Sequence, residues 1–260
     1  MARSFFSSWR PLAALLALAA GLALAEGPGA AAAAPAKAKT RPAPNPLDGI
    51  QHRITWRTTA AELLALVAEL QVLRTPAASS YLNYWQAYAY YHLYFRVHAS
   101  QPAQAESYLQ SGIAALEAVA APNSEHLALL SLLQGLNLEY STFVLLPVRA
   151  GIAQRNAEKA LALHARNLRA CYALAIHDYY TPKIYGGGQL AQRYFRRAVA
   201  LPDKSDRNPY APDWGKADAY WYLARTFAAA GQPDSVRHYA QQGALRYPWH
   251  QGLVNLAKKP

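Results

Sequence analysis

The stretch Thr181-Pro182-Lys183-Ile184-Tyr185-Gly186-Gly187-Gly188 constrains this chain most, because of what stands on either side of it. Before it, Asn167 to Tyr180 reads as a helix that stops at Pro182, a residue with no backbone N–H to donate. After it, a second helix opens at Gln189 and sets Ala191, Phe195 and Ala198 at helical spacing. Glycine permits positive φ, so the triplet lets the chain reverse between the two. The product is a short helical hairpin with small residues where its arms cross. Such a hairpin cannot bury its apolar face alone and needs copies of itself as neighbours.

The rest of the chain supplies those copies. Thr59-Ala60-Ala61-Glu62 has the form of a capping box, and Leu63, Leu66, Val67, Leu70 and Leu73 then mark one face as far as Arg74. Pro76 separates it from a second helix over Ser79 to His98. A third begins at Pro102, which suits a first helical turn, and ends before Pro122. Ser124 is read as the cap of a fourth, with Leu129, Leu132, Leu133, Leu136 and Tyr140 as its stripe. Pro147 and Gly151 read as an interruption, followed by a helix from Ile152 to His164. Beyond the glycine turn and a proline-rich loop from Pro202 to Gly215, two more helices span Lys216–Ala230 and Pro233–Tyr247. No alternating strand pattern competes.

The last pair carries the repeat most clearly. Tyr220, Leu223, Ala224 and Phe227 are followed by Val236, Ala240, Gly243 and Pro248 at the offsets of a 34-residue helix-turn-helix repeat. Weaker copies carry Trp85, Tyr88, Ala89 and His92 with Ala105, Leu109 and Gly112, and Gly135 with Ala157 and Ala160. The expected fold is all-α, a tetratricopeptide-like helical-hairpin solenoid of three to four repeats.

A resemblance adds to this reading. Asn167-Leu168-Arg169-Ala170, Tyr179-Tyr180-Thr181-Pro182, Tyr185-Gly186-Gly187-Gly188, Phe195 with Ala198, and Pro212-Asp213-Trp214-Gly215-Lys216 occur in that order. From about Ser80 onward the chain resembles tetratricopeptide-repeat proteins exported by Bacteroidetes-type bacteria. A more distant likeness is to the repeat protein associated with tripartite ATP-independent periplasmic transporters. The resemblance implies fold and location; it implies no reaction and no cofactor.

The N-terminus points the same way. Arg3 and Arg10 precede a Leu/Ala run from Pro11 to Ala25 that ends in Ala23-Leu24-Ala25, the pattern of a cleaved signal peptide over residues 1–25. The run is short for a bilayer span, which needs about 20 apolar residues; the alternative is an uncleaved anchor. No cysteine stands at its end, so a lipid anchor on cysteine is excluded, and the single Cys171 excludes an internal disulfide. Residues 26–46 are mostly Ala, Pro, Gly and Lys with little to bury, and read as a disordered tether. Residues 47–260 then form one repeat domain, periplasmic or secreted, with no integral span once the signal is removed. The formal charge of +11 raises the question of nucleic acid, but export argues against it. Only Arg193, Arg196 and Arg197 form a compact cluster, so a soluble basic surface is the simpler account.

Three features are candidate sites. Tyr81, Tyr84, Trp85, Tyr88, Tyr91, His92 and Phe95 form a helical aromatic stripe, broadened by Tyr90 and Tyr94. First helices line the concave side of a repeat array, so Tyr84, Trp85, Tyr88, Tyr91 and His92 are the expected contacts for a protein or peptide; core packing is the competing explanation. A candidate pocket for a small anionic or aromatic solute combines Tyr180, Tyr185, Gly187, Gly188, Arg193 and Trp214. There, backbone N–H groups at the helix start would cradle an anion, against the simpler reading of a structural turn. The Pro202–Gly215 loop forms either a wall of that pocket or a packed lid. No Lys-Ser or Lys-Thr follows the glycines, and HExxH, GxSxG and paired-Cys zinc patterns are missing. His177 and Asp178 point about 100° apart on one helix and do not converge. The expectation is a non-catalytic scaffold without cofactor or metal, binding a partner protein or peptide in the cell envelope; the runner-up is a periplasmic accessory for a small solute.

Overall fold

The helix starts follow from side chains that satisfy otherwise orphaned backbone donors. In the computed structural model, which describes residues 47, 49–73, 79–205 and 208–258, Thr59 makes the expected capping box. Its backbone N–H donates to Glu62 Oε2 at 2.7 Å, and Glu62 N–H donates to Thr59 Oγ1 at 3.3 Å. The leader over 1–25, the tether over 26–46, Arg74, Pro76, Lys259 and Pro260 lie outside the described residues.

The helices are α1 (Ile50–Arg53), α2 (Ala60–Val72), α3 (Ser79–Val97), α4 (Pro102–Glu117), α5 (Ser124–Asn137), α6 (Leu146–Leu163), α7 (Leu168–Tyr180), α8 (Ala191–Ala200), α9 (Lys216–Ala229), α10 (Pro233–Arg246) and α11 (Gln251–Ala257). Among the described residues there is no strand. Helix α3 pairs with α4, α5 with α6, α7 with α8, and α9 with α10. Each pair stacks on the next through α4 on α5, α6 on α7 and α8 on α9. The first helices also meet one another, α3 on α5 and α5 on α7, and so form an inner layer. Helix α2 closes one end against α3, and α11 closes the other against α10 and α9. This is a tetratricopeptide-like helical-hairpin solenoid of four pairs.

Two details depart from the sequence reading. The cap of α5 is Asn123 and not Ser124: its Oδ1 accepts from the backbone N–H of Glu125 and His126 at 2.9 and 3.1 Å. Ser124 Oγ instead donates to Ala160 O at 2.6 Å and ties α5 to α6. Helix α6 starts at Leu146, because Pro147 sits in the first turn where its missing N–H has no intrahelical acceptor to lose. Gly151 is carried inside that helix.

The small residues sit where the arms cross. A Cβ on Gly243 would lie 2.9 Å from Tyr220 Cβ, so α10 approaches α9 more closely than any larger residue allows. Leu223, Ala224, Phe227 and Ala240 are buried beside that crossing. Each large apolar side chain buried this way stabilises the stack by roughly 1.5–3 kcal/mol.

The glycine turn between α7 and α8 is built as a fixed corner. Gly186 and Gly188 have φ of 85° and 80°. A Cβ at Gly187 would stand 1.9 Å from Thr181 O. Asp178 Oδ2 accepts from Leu190 N–H and Ala191 N–H, both at 2.7 Å. The donors that could have cradled an external anion are therefore taken by the chain's own carboxylate, and the turn is structural.

Candidate functional site

The connection from α8 to α9, described over residues 201–205 and 208–215, is a strap that does not stay at the outer surface. It crosses the N-terminal ends of the inner helices and fills that half of the groove. Asn167 caps α7 through Oδ1, accepting from Arg169 and Ala170 N–H at 2.8 and 3.2 Å. This turns Arg169 inward, opposite Glu125 at the equivalent place on α5. The pair is fully buried, with 0% and 2% of the side chains exposed, and bidentate: Arg169 Nε to Glu125 Oε2 at 2.5 Å and Nη2 to Oε1 at 2.9 Å. Arg169 Nη1 then donates to Asp203 O at 2.9 Å and Trp214 O at 2.8 Å, and Ser205 Oγ donates to Glu125. Burial opposes the Arg169 charge, but the Glu125 carboxylate prevails and raises its pKa.

The strap also covers the aromatic stripe. Trp85 Nε1 donates to Tyr210 O at 3.0 Å, and Trp214 Nε1 donates to Tyr84 Oη at 3.0 Å. The Trp214 ring stacks on Tyr88 with centroids 4.7 Å apart. On the other flank Trp56 lies 4.3 Å from the His92 ring, and Arg96 holds the carbonyls of Thr55, Trp56 and Thr58. Tyr84, Trp85, Tyr88, Tyr91 and His92 are consequently buried. This corrects the expectation that Tyr84, Trp85, Tyr88 and His92 are partner contacts: they are core, and the strap is the packed lid, whereas Tyr91, buried among them, also reaches the cavity described below. Both His92 ring nitrogens are buried without a hydrogen-bond partner, and burial, with Arg96, pushes the imidazole down to about 3.

The expected solute pocket does not assemble either. Tyr180 faces the groove, where its hydroxyl meets Tyr222 Oη at 2.8 Å. Tyr185 is 65% exposed on the glycine corner, and Arg193 is exposed with its guanidinium over Tyr194. Trp214 belongs to the strap. Gly187 and Gly188 serve the corner.

The C-terminal ends of the inner helices enclose a different space. A partly open cavity of about 60 Å³ lies between α3, α5, α7 and α9. Tyr91, Tyr94, Phe95, Tyr172, Tyr180 and Tyr222 supply its rings. His98, Leu132, Gly135 and His177 complete most of the wall. A Cβ at Gly135 would lie 2.7 Å from His177 Cε1, so the glycine leaves the imidazole its place.

Neither a model of any protein family nor any curated protein matches the chain. Among solved structures it is similar to YrrB, described as "a TPR protein with an unusual peptide-binding site", at 13% identity over 77% of this chain and 93% of that one, with a TM-score of 0.37. The fold stands on the helix pairing itself and not on this likeness.

Ser131 and His177 invite comparison with a nucleophile and its base, 2.7 Å apart. The hydrogen bonding runs the wrong way. Ser131 has one hydroxyl proton and donates it to Ala153 O at 2.7 Å. His177 Nε2 must therefore carry the proton of the contact with Ser131, which leaves Nδ1 as the lone-pair nitrogen. Burial pushes the His177 imidazole down to about 4. Cys171 is buried, and burial pushes its thiol up to about 11, away from the reactive thiolate. Among the described residues no three His, Cys, Asp or Glu side chains converge on a metal position.

Sequence reasoning found Tyr91 and Tyr180 but missed that they meet, along with Tyr172, His177 and Tyr222. The available signal was positional: Phe95, Leu136 and Tyr180 all lie in the last two turns of successive first helices, where one edge of the inner layer is built.

Proposed function

We propose that this chain is a non-catalytic repeat scaffold, exported to the cell envelope, whose inner groove binds a segment of a partner protein or peptide. One observation carries the reading. Half of the groove already holds an irregular stretch of polypeptide, the strap, through its carbonyls and one aromatic side chain. The other half is walled by aromatic rings from α3, α7 and α9, with leucines of α5 between them, and stays partly open. Rigid aromatics bind chain with little entropy loss. Export is supported by the Arg3 to Ala25 leader pattern and by the likeness to exported repeat proteins in Thr181–Gly188 and Pro212–Lys216. No helix among the described residues is long and apolar enough to cross a membrane. A transported solute is the weaker reading, because the residues expected to hold one are not brought together: Tyr180 faces the cavity, Trp214 bonds Tyr84, and Tyr185 and Arg193 stand exposed.

The test is a random-peptide display panned on the full chain, with affinities of enriched peptides measured by fluorescence anisotropy. Enriched sequences should bind wild type and lose at least tenfold on Tyr180→Leu, with helical circular dichroism unchanged. Binding untouched by that change, or no enrichment, refutes the groove.

A further inference from the structure

The chemistry of the groove cavity selects one kind of group. We propose that it is a site for a primary ammonium, supplied by a lysine side chain of the bound segment; the source of the ammonium rests on the peptide reading above, and the site itself does not.

Four observations lead there. No lysine or arginine lines the cavity, so an anion would enter without a counter-charge. Six aromatic rings do line it, and ring faces attract cations. The His177 Nδ1 lone pair is held in the acceptor state by the proton order Nε2–H to Ser131 and Ser131 to Ala153 O. His98 Nδ1, on the same wall, is buried with no hydrogen-bond partner.

Charge and size agree. Tyr94 Oη donates to Glu139 Oε2 at 3.1 Å, which puts a carboxylate directly behind the wall. Arg225 is a cation whose field reaches Tyr180, and its guanidinium is engaged over Trp221 at 4.5 Å and Tyr179 at 6.0 Å. A space of about 60 Å³ admits an ammonium head and its adjoining methylenes. It is well under the ~150 Å³ that accepts a benzene ring. A slender alkylammonium therefore fills the space better than an aromatic side chain does.

The experiment titrates the full chain, followed by ligand-observed NMR, with n-butylammonium, n-butanol and butyrate. Two capped pentapeptides, Gly-Ala-Lys-Ala-Gly and its norleucine counterpart, are run beside them. Butylammonium should bind about tenfold or more tighter than butanol, and butyrate should not bind. His177→Leu and Tyr180→Leu should each erase the preference while the helical spectrum is kept. Equal binding of butanol and butylammonium, or preference for butyrate, overturns the site. If the norleucine peptide binds as well as the lysine peptide, the groove stands and the lysine inference falls. If butylammonium is preferred but neither pentapeptide binds and display finds no binder, the ammonium site stands and the peptide groove falls.

Discussion

Replacing Arg169 with Met tests whether the strap is held by a buried charge pair. The guanidinium makes four hydrogen bonds, two to Glu125 and one each to Asp203 O and Trp214 O. Met fills similar space but leaves the Glu125 carboxylate buried without a counter-charge, and breaking such a pair costs about 3–5 kcal/mol. In a domain of this size, 1 kcal/mol moves Tm by roughly 2–4 °C. The single variant should therefore melt on the order of 10 °C lower. Glu125→Leu combined with Arg169→Met removes the orphaned charge and should recover most of the loss, because well-packed apolar residues often replace a buried pair at little cost. What stays lost is the grip on the two strap carbonyls and on the Ser205 hydroxyl, which water takes over as the strap loosens. Urea unfolding gives the stabilities of all four corners of the cycle. Limited proteolysis gives the state of the strap: the double variant should be nicked within 203–214 faster than wild type. A single variant within about 1 kcal/mol of wild type, or a double variant no more stable than the single, would refute the reasoning.

Acid should destabilise the fold through two histidines. His177 and His92 are pushed down to about 4 and about 3 by burial, against 6.5 for the ordinary group. The unfolded chain binds those protons first, so their contribution is complete above about pH 6.5 and is lost as pH falls towards 4 and below. A urea midpoint that is flat between pH 7 and pH 4.5, or that rises on acidification, contradicts this; His250, raised by Asp218 despite its burial, works weakly in the opposite sense. At the glycine corner, Gly187→Ala should cost about 2–4 kcal/mol by thermal melting, since its Cβ meets the Thr181 carbonyl at 1.9 Å. Gly186→Ala should cost less, about 1 kcal/mol, because only its φ of 85° is strained and nothing lies within 4 Å. The reverse order of the two would dismiss the corner geometry.

Local signals made the helices legible. Thr59 with Glu62, Pro102, the Gly186 triplet and Pro233 each mark an end by a mechanism that acts within a few residues. The errors were equally local. Ser124 and Asn123 are both capping types, and spacing alone does not choose between them. Pro147 reads as a breaker when its place in a first turn is unknown. The aromatic stripe on α3 was visible, but its burial was not, because what covers it comes from Tyr210 and Trp214, more than a hundred residues later. The cavity was hidden for the same reason: its rings come from three helices, and no window of sequence holds two of them from different repeats.

A tandem array normally communicates only between adjacent modules, so it frays from either terminus and tolerates the loss of one unit. Here the Trp85–Tyr210 and Tyr84–Trp214 bonds couple the first module to the approach of the last. Peeling away the opening hairpin would uncover the foundation of the closing one, so the assembly is tied like a loop and should come apart in a single step.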